Sequence, residues 1–141
     1  MGYYNKIYHS TFEERVKIID CLADFIISRQ EVSFAYVYGS FIEGIPFHDI
    51  DIGVYVAGIK EKDSTMYGLE LTQAISKANH IPVDIRVLNY ATLFFLYHVI
   101  KGRLVFERDE DIRIDIINKT VQRYLDIKPI IRMGIKEAFS T

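Results

Sequence analysis

The chain is poor in cysteine, proline and uninterrupted apolar sequence, and each shortage removes a class of protein. Its single cysteine, Cys21, can form no internal disulfide, so the fold is no disulfide framework and fits a reducing, cytoplasmic compartment. Cys21 falls in an apolar-periodic stretch and reads as a small core residue rather than a nucleophile. Three prolines and eight glycines, never clustered, leave no linker, repeat or low-complexity tract. The longest apolar run, Ala91 to Ile100, is too short to span a bilayer and is interrupted by Tyr97 and His98. The first residues, Met1 to Asn5, lack the basic start and apolar stretch of a signal peptide. A formal charge of −2 argues against a broad nucleic-acid surface, and no direct nucleic-acid binding is expected. With half of its 141 residues hydrophobic, the chain is long enough for one soluble domain, 1–141, and too short for a second.

The remaining pattern alternates helices with strands. Ser10-Thr11-Phe12-Glu13 has the form of a capping box and opens a helix expected from Thr11 to Arg29. Phe34 to Tyr38 reads as a strand, Ser40 to Gly44 as a helical turn, and Asp49 to Val56 as a central strand. Gly58 to Ser64 is expected as a charged loop, followed by a helix over 65–79 and a core strand over 83–88. Asn89 is placed to cap a helix from Ala91 to Lys101 that stops at Gly102. A short strand over 104–106 precedes a last helix from Asp109 or Asp111, which Pro129 is expected to break or kink. The fold class is α/β or α+β, a small mixed sheet flanked by helices.

Chemistry concentrates in Tyr38-Gly39-Ser40 and, after the eight residues Phe41 to His48, Asp49-Ile50-Asp51. On a strand, alternate side chains share a face, so Asp49 and Asp51 project together. Two carboxylates that close repel unless a cation lies between them, and an all-oxygen donor set suits Mg²⁺ arriving with substrate phosphates. Gly39 lets the backbone approach a phosphate, and a helical turn starting at Ser40 aims free N–H groups at it. A third carboxylate, Asp84, stands among apolar residues of the strand at 83–88, where a lone charge calls for a partner. Together Asp49, Asp51 and Asp84 suit a metal-dependent nucleotidyl transfer in which Gly39 and Ser40 cradle the triphosphate.

Taken singly, each element has a plainer reading. Gly-Ser after a strand is common, Asp-x-Asp at a strand start serves turns, and Asp84 could pair with a nearby Lys or Arg. His48 suits a phosphate contact or a loop imidazole bonded to backbone. The ordered combination favours the transferase reading.

These residues resemble the minimal nucleotidyltransferases of the DNA polymerase β superfamily, the MNT-domain proteins encoded beside HEPN-domain partners. Gly39-Ser40 with Asp49-x-Asp51 matches the Gly-Ser…Asp-x-Asp signature, and Asp84 matches the third catalytic aspartate. Weaker similarity runs through Leu88-Asn89, Lys101 to Phe106 and Arg123 to Asp126, so it covers nearly the whole chain. The resemblance implies a polymerase β-like fold with ATP as donor, Mg²⁺ as cofactor and Asp49, Asp51 and Asp84 as catalytic metal ligands. It also implies a HEPN ribonuclease partner in a hetero-oligomer, neutralised by AMP transfer to one of its tyrosines. The chain departs from the family in two ways: its spacer is shorter, and Glu43 stands where the Gly-Ser-x-Ala-Arg-Gly pattern has arginine.

Two other functions stay open: an antitoxin that masks its partner by contact alone, and a small-molecule nucleotidyltransferase. Little chain follows Asp84 to hold a small acceptor, which favours a docked protein. The apolar C-terminal stretch with Ile127, Ile130, Ile131, Met133, Ile135 and Phe139 suits either a partner surface or core closure. Ten tyrosines allow self-modification at Tyr3, Tyr4 or Tyr124, although tyrosine is equally a packing residue.

Overall fold

A computed structural model describes residues 6–139. The elements run α1 (Phe12–Ile27), β1 (Val32–Tyr38), α2 (Ser40–Glu43), β2 (Ile50–Val56), α3 (Glu61–Ser76), β3 (Val83–Val87), α4 (Leu93–Ile100), β4 (Arg103–Glu107) and α5 (Glu110–Phe139). The four strands form one mixed sheet in the order β3-β2-β1-β4. β1 pairs antiparallel with β2 and β4, whereas β2 and β3 are parallel and need α3 as their crossover. The expected class, a small mixed sheet flanked by helices, is the class observed.

Strand alternation divides the core into two faces. Ala35 and Val37 of β1, Ile50, Ile52 and Val54 of β2, and Val83 and Ile85 of β3 pack with Ile19, Leu22 and Ile26 of α1 and Leu71 and Ile75 of α3. On the other face, Phe34, Tyr36 and Tyr38 of β1 pack with Leu88, with Val99 of α4, and with Ile116 and Ile117 of α5. A bulge between Val32 and Phe34 shifts the alternation, so that Val32 joins the first cluster. Gly53 belongs to the second face, where an added Cβ would fall 2.8 Å from Leu88 Cδ2. The missing side chain admits Leu88 and Val99 to the sheet.

Several boundaries differ from the sequence expectation for local reasons. The capping box lies one residue on: Thr11 Oγ1 accepts from the Glu14 N–H and Glu14 Oε1 accepts from the Thr11 N–H, both at 3.2 Å. α3 begins at Glu61, inside the expected loop, because Glu61 and Asp63 suit the positive end of a helix. α4 is capped by Thr92, which leaves Asn89 to bridge the end of β2 by accepting from Val56 N–H at 2.9 Å and donating to Val56 O at 2.6 Å. Pro129 does not break α5. Leu125 and Pro129 are both exposed, so the carbonyl deprived of its donor stands where water can replace it.

Cys21 is exposed rather than core, since Ile19, Leu22 and Ile26 form the buried stripe of α1. Core closure does not take in the apolar residues of α5 over 130–135 either, and the Phe139 side chain lies outside the described ones. Ile130, Met133 and Ile135 are more than half exposed, and Ile131 is exposed beside them. Tyr124 stacks on Tyr97 with ring centroids 3.6 Å apart, fixing α5 on α4. Tyr3 and Tyr4 lie outside the described residues. No described helix is long and apolar enough to cross a membrane.

Candidate functional site

The site forms where β1 ends and β2 and β3 begin. Tyr38 pairs in register with Asp51, and Asp51 pairs with Asp84, so three neighbouring strands present one row of side chains. Asp49 precedes β2 by one residue and shares the side of Asp51. The three carboxylates each offer an oxygen, and these atoms lie within 4.8 Å of one another. Parallel pairing of β2 with β3 thus joins residues 33 positions apart in the chain, as in Asp51 with Asp84.

Gly39 has φ 84° and ψ −161°, a backbone conformation that disfavours side chains. An added Cβ there would sit 2.7 Å from Asp51 Oδ2. Glycine is therefore required twice, for the turn and for its approach to the carboxylate. Ser40 opens α2 immediately after it, and Gly44 at φ 77° closes that turn. Glu43 is exposed and lines neither neighbouring cleft. Nδ1 of His48 lies 2.8 Å from the Lys6 carbonyl, which bears out the backbone-bonded reading.

Burial and mutual repulsion shape the electrostatics. Desolvation raises the Asp51 carboxyl to a pKa of about 6, with the charges of Asp49 and Asp84 adding to it and Arg86 opposing. Asp49 is also raised, first by desolvation and then by Asp84, against the favourable His48 and Arg86 charges. Asp84 is not the isolated core charge expected from sequence. β3 is an edge strand, the Asp84 side chain is 39% exposed, and Arg86 Nε lies 3.2 Å from its Oδ2. The plainer reading of Asp84 as a salt-bridge partner is thus realised, yet Asp84 still converges on Asp49 and Asp51.

Sequence reasoning missed two residues beside the carboxylates. Tyr38 is buried, its ring edge-on to Phe95 and His98, and its hydroxyl is pushed strongly upward by desolvation and then by Asp51. Arg86 rests over the Phe95 ring at 5.6 Å. The signal for Arg86 was present: two residues after Asp84 on a strand, it must share that face.

Two clefts flank Asp84 along the free edge of β3. One, of about 760 Å³, is lined by His48, Asp49, Ser76, Asn79, His80 and Asp84 among others. The other, of about 310 Å³, lies against Ser64, Thr65, Gly68 and Arg86. Between them Thr72 Oγ1 accepts from the Ile85 N–H at 2.9 Å and blocks the strand edge against further pairing.

The comparisons bear on the fold that carries these residues. The family model described as polymerase beta, nucleotidyltransferase matches residues 17–111, a span that contains all three carboxylates. No curated protein matches the chain. Among solved structures, the chain resembles a complex of a tri-AMPylated Shewanella oneidensis HEPN toxin with its MNT antitoxin, at 23% identity and TM-score 0.61 over 89% of this chain and 96% of that one. It also resembles a toxin–antitoxin structure with AMP-PNP, at 23% identity and TM-score 0.65, covering 89% and 98% of the two chains. The toxin–antitoxin MntA–HepT matches at 18% identity and TM-score 0.64, covering 88% and 99%. At these identities the likeness establishes a shared fold.

Proposed function

Because the chain belongs to the polymerase beta nucleotidyltransferase family, we propose that it transfers AMP from ATP to a tyrosine of a HEPN-domain ribonuclease, acting as that toxin's antitoxin in the cytoplasm. The observation that carries this reading is the convergence of Asp49, Asp51 and Asp84 from two parallel strands. Solved structures of like fold include an AMPylated toxin bound to its antitoxin and a complex with AMP-PNP, which supports both donor and acceptor class.

The three carboxylates fit Mg²⁺: they offer oxygens only and lie mutually close, and Asp49 and Asp51 are raised in pKa by burial and then by their acidic neighbours. When bound, Mg²⁺ supplies charge neutralisation of the triphosphate and of the developing transition state. The chain's own residues do the rest. Gly39 and the first turn at Ser40 hold the phosphates, and the acceptor approaches from the side of Asp84. The phenol oxygen bonds to the α-phosphorus as the bond to pyrophosphate breaks, and the Asp84 carboxylate accepts the phenol proton. Attack and departure lie in line, so an acceptor opposite Ser40 enters over the 760 Å³ cleft beside Asp84. Among the described residues no Lys or Arg lines that cleft, which suits a neutral protein segment better than a polyanion.

Replacing Asp49 and Asp51 together by Asn tests the reading. Labelled AMP transfer and toxin neutralisation should both be lost. Neutralisation that survives intact would show masking by contact instead, and turnover of metabolites without any protein would favour a small-molecule acceptor.

A further inference from the structure

We propose that Arg86 is a polyphosphate-binding residue held in reserve on the carboxylates, so that cation binding and phosphate capture form a single exchange. The ligand class rests on the nucleotidyl-transfer reading above; the reserve position rests on geometry alone.

Arg86 follows Asp84 by two residues on β3 and therefore emerges on the carboxylate face. Its partner in register is Gly53, which puts no side chain in its way. One contact ties it to the cluster, Nε to Asp84 Oδ2 at 3.2 Å, and its two terminal nitrogens make no hydrogen bond among the described residues. The guanidinium lies over Phe95 at 5.6 Å, and 61% of the side chain is exposed. An ion pair this open contributes little to folding. Its position instead sets a largely exposed positive charge against three carboxylates, with its two terminal nitrogens unused among the described residues.

A divalent cation among Asp49, Asp51 and Asp84 competes directly with Arg86 for the Asp84 oxygen. Displaced from it, Arg86 keeps its aromatic support and gains all five donors for another anion. A planar fork matches phosphate oxygens bidentately, and an arginine already stacked loses little freedom on binding. The phosphate-facing turn α2 supplies no such charge, since its four residues are Ser40, Phe41, Ile42 and Glu43. Arg86 provides that cation from a different strand.

The exchange predicts effects of opposite sign from one substitution. Arg86→Gln should bind Mn²⁺ alone about three- to tenfold more tightly, because the competing charge is gone. The same variant should bind AMP-PNP with Mg²⁺ about 10- to 100-fold more weakly, for loss of a charge-assisted contact. Arg86→Lys keeps the charge without the fork: its Mn²⁺ affinity should stay near wild type while AMP-PNP binding falls. Calorimetric titration of both probes reads this, with circular dichroism confirming that each variant is folded. Arg86→Gln that weakens both probes would make Arg86 a mere prop for Asp84, and unchanged affinities would remove any role; either overturns the proposal. A wild-type protein that binds Mn²⁺ but no AMP-PNP would defeat the nucleotide reading and with it the phosphate half. The Mn²⁺ comparison would still decide whether Arg86 guards the carboxylates.

Discussion

The two faces of the sheet are built from the same strands and behave as opposites. Toward α1 and α3 the sheet is aliphatic and dry, with Ile50, Ile52 and Val54 fully buried. Toward α4 and α5 it is aromatic, and it ends in three carboxylates and an arginine. Residues one position apart on β2 therefore serve different ends: Ile52 holds the sheet together while Asp51 strains it. Alternation lets a short domain keep a rigid support directly beneath a repulsive site. Separate perturbation of the faces tests that division.

The largest expected effect is on the acidic face. Asp49→Asn with Asp51→Asn should lower AMP transfer by about a thousandfold or more, as expected when the ligands of a catalytic cation are removed. Its melting temperature should not fall. On the dry face, Ile52→Ala should cost about 2–5 kcal/mol in urea unfolding, because a fully buried side chain leaves a cavity. Its remaining folded fraction should transfer AMP at near the wild-type rate. An Ile52 variant that keeps its stability but loses activity would break the division.

Gly39→Ala belongs to both regions. It forces a side chain into a positive φ and toward Asp51 Oδ2, so a stability loss of about 1–2 kcal/mol should accompany loss of nucleotide binding. Thermal melts and AMP-PNP titration measure the two parts.

A smaller effect comes from pH. The folded Asp51 pKa of about 6 lies above its ordinary value of 3.8. The folded protein therefore holds this proton more tightly than the unfolded chain, and its contribution to stability declines as pH rises from 3.8 through 6. Burial is the main cause of the shift, the charges of Asp49 and Asp84 reinforce it, and Arg86 limits it. Because the side chain is partly solvated, Asp51→Asn should gain on the order of 1 kcal/mol at pH 7.5 and none near pH 3.8. Added Mg²⁺ should stabilise the wild type more at pH 7.5 than at pH 5, since the carboxylates must be ionised to hold it. Melting curves at the two pH values decide the sign.

The acidic face was largely legible because a charge on a strand contradicts its surroundings. Asp49, Asp51 and Asp84 stood out among β-branched residues, and Gly39-Ser40 stood at a strand end where the chain must turn. Arg86 shares β3 with Asp84 and alternation alone puts it on the same face, but its place opposite Gly53 comes only from the three-dimensional register. The edge position of β3 was equally hidden: an apolar run does not reveal whether one or two neighbours pair with it. Cys21 misled, and the end of α5 was left open between core closure and a partner surface, for a related reason. Apolar periodicity marks which residues share a helix face, whereas burial depends on what the fold brings against that face. Pro129 was read by its intrinsic tendency, which an exposed helix surface tolerates.

Intact-mass analysis of the HEPN-domain partner, incubated with this protein, ATP and Mg²⁺, tests the central claim most directly. The partner should gain whole AMP increments on tyrosine with the wild-type protein, and none with the Asp49→Asn, Asp51→Asn variant. A partner that is fully neutralised while its mass stays unchanged would contradict the account.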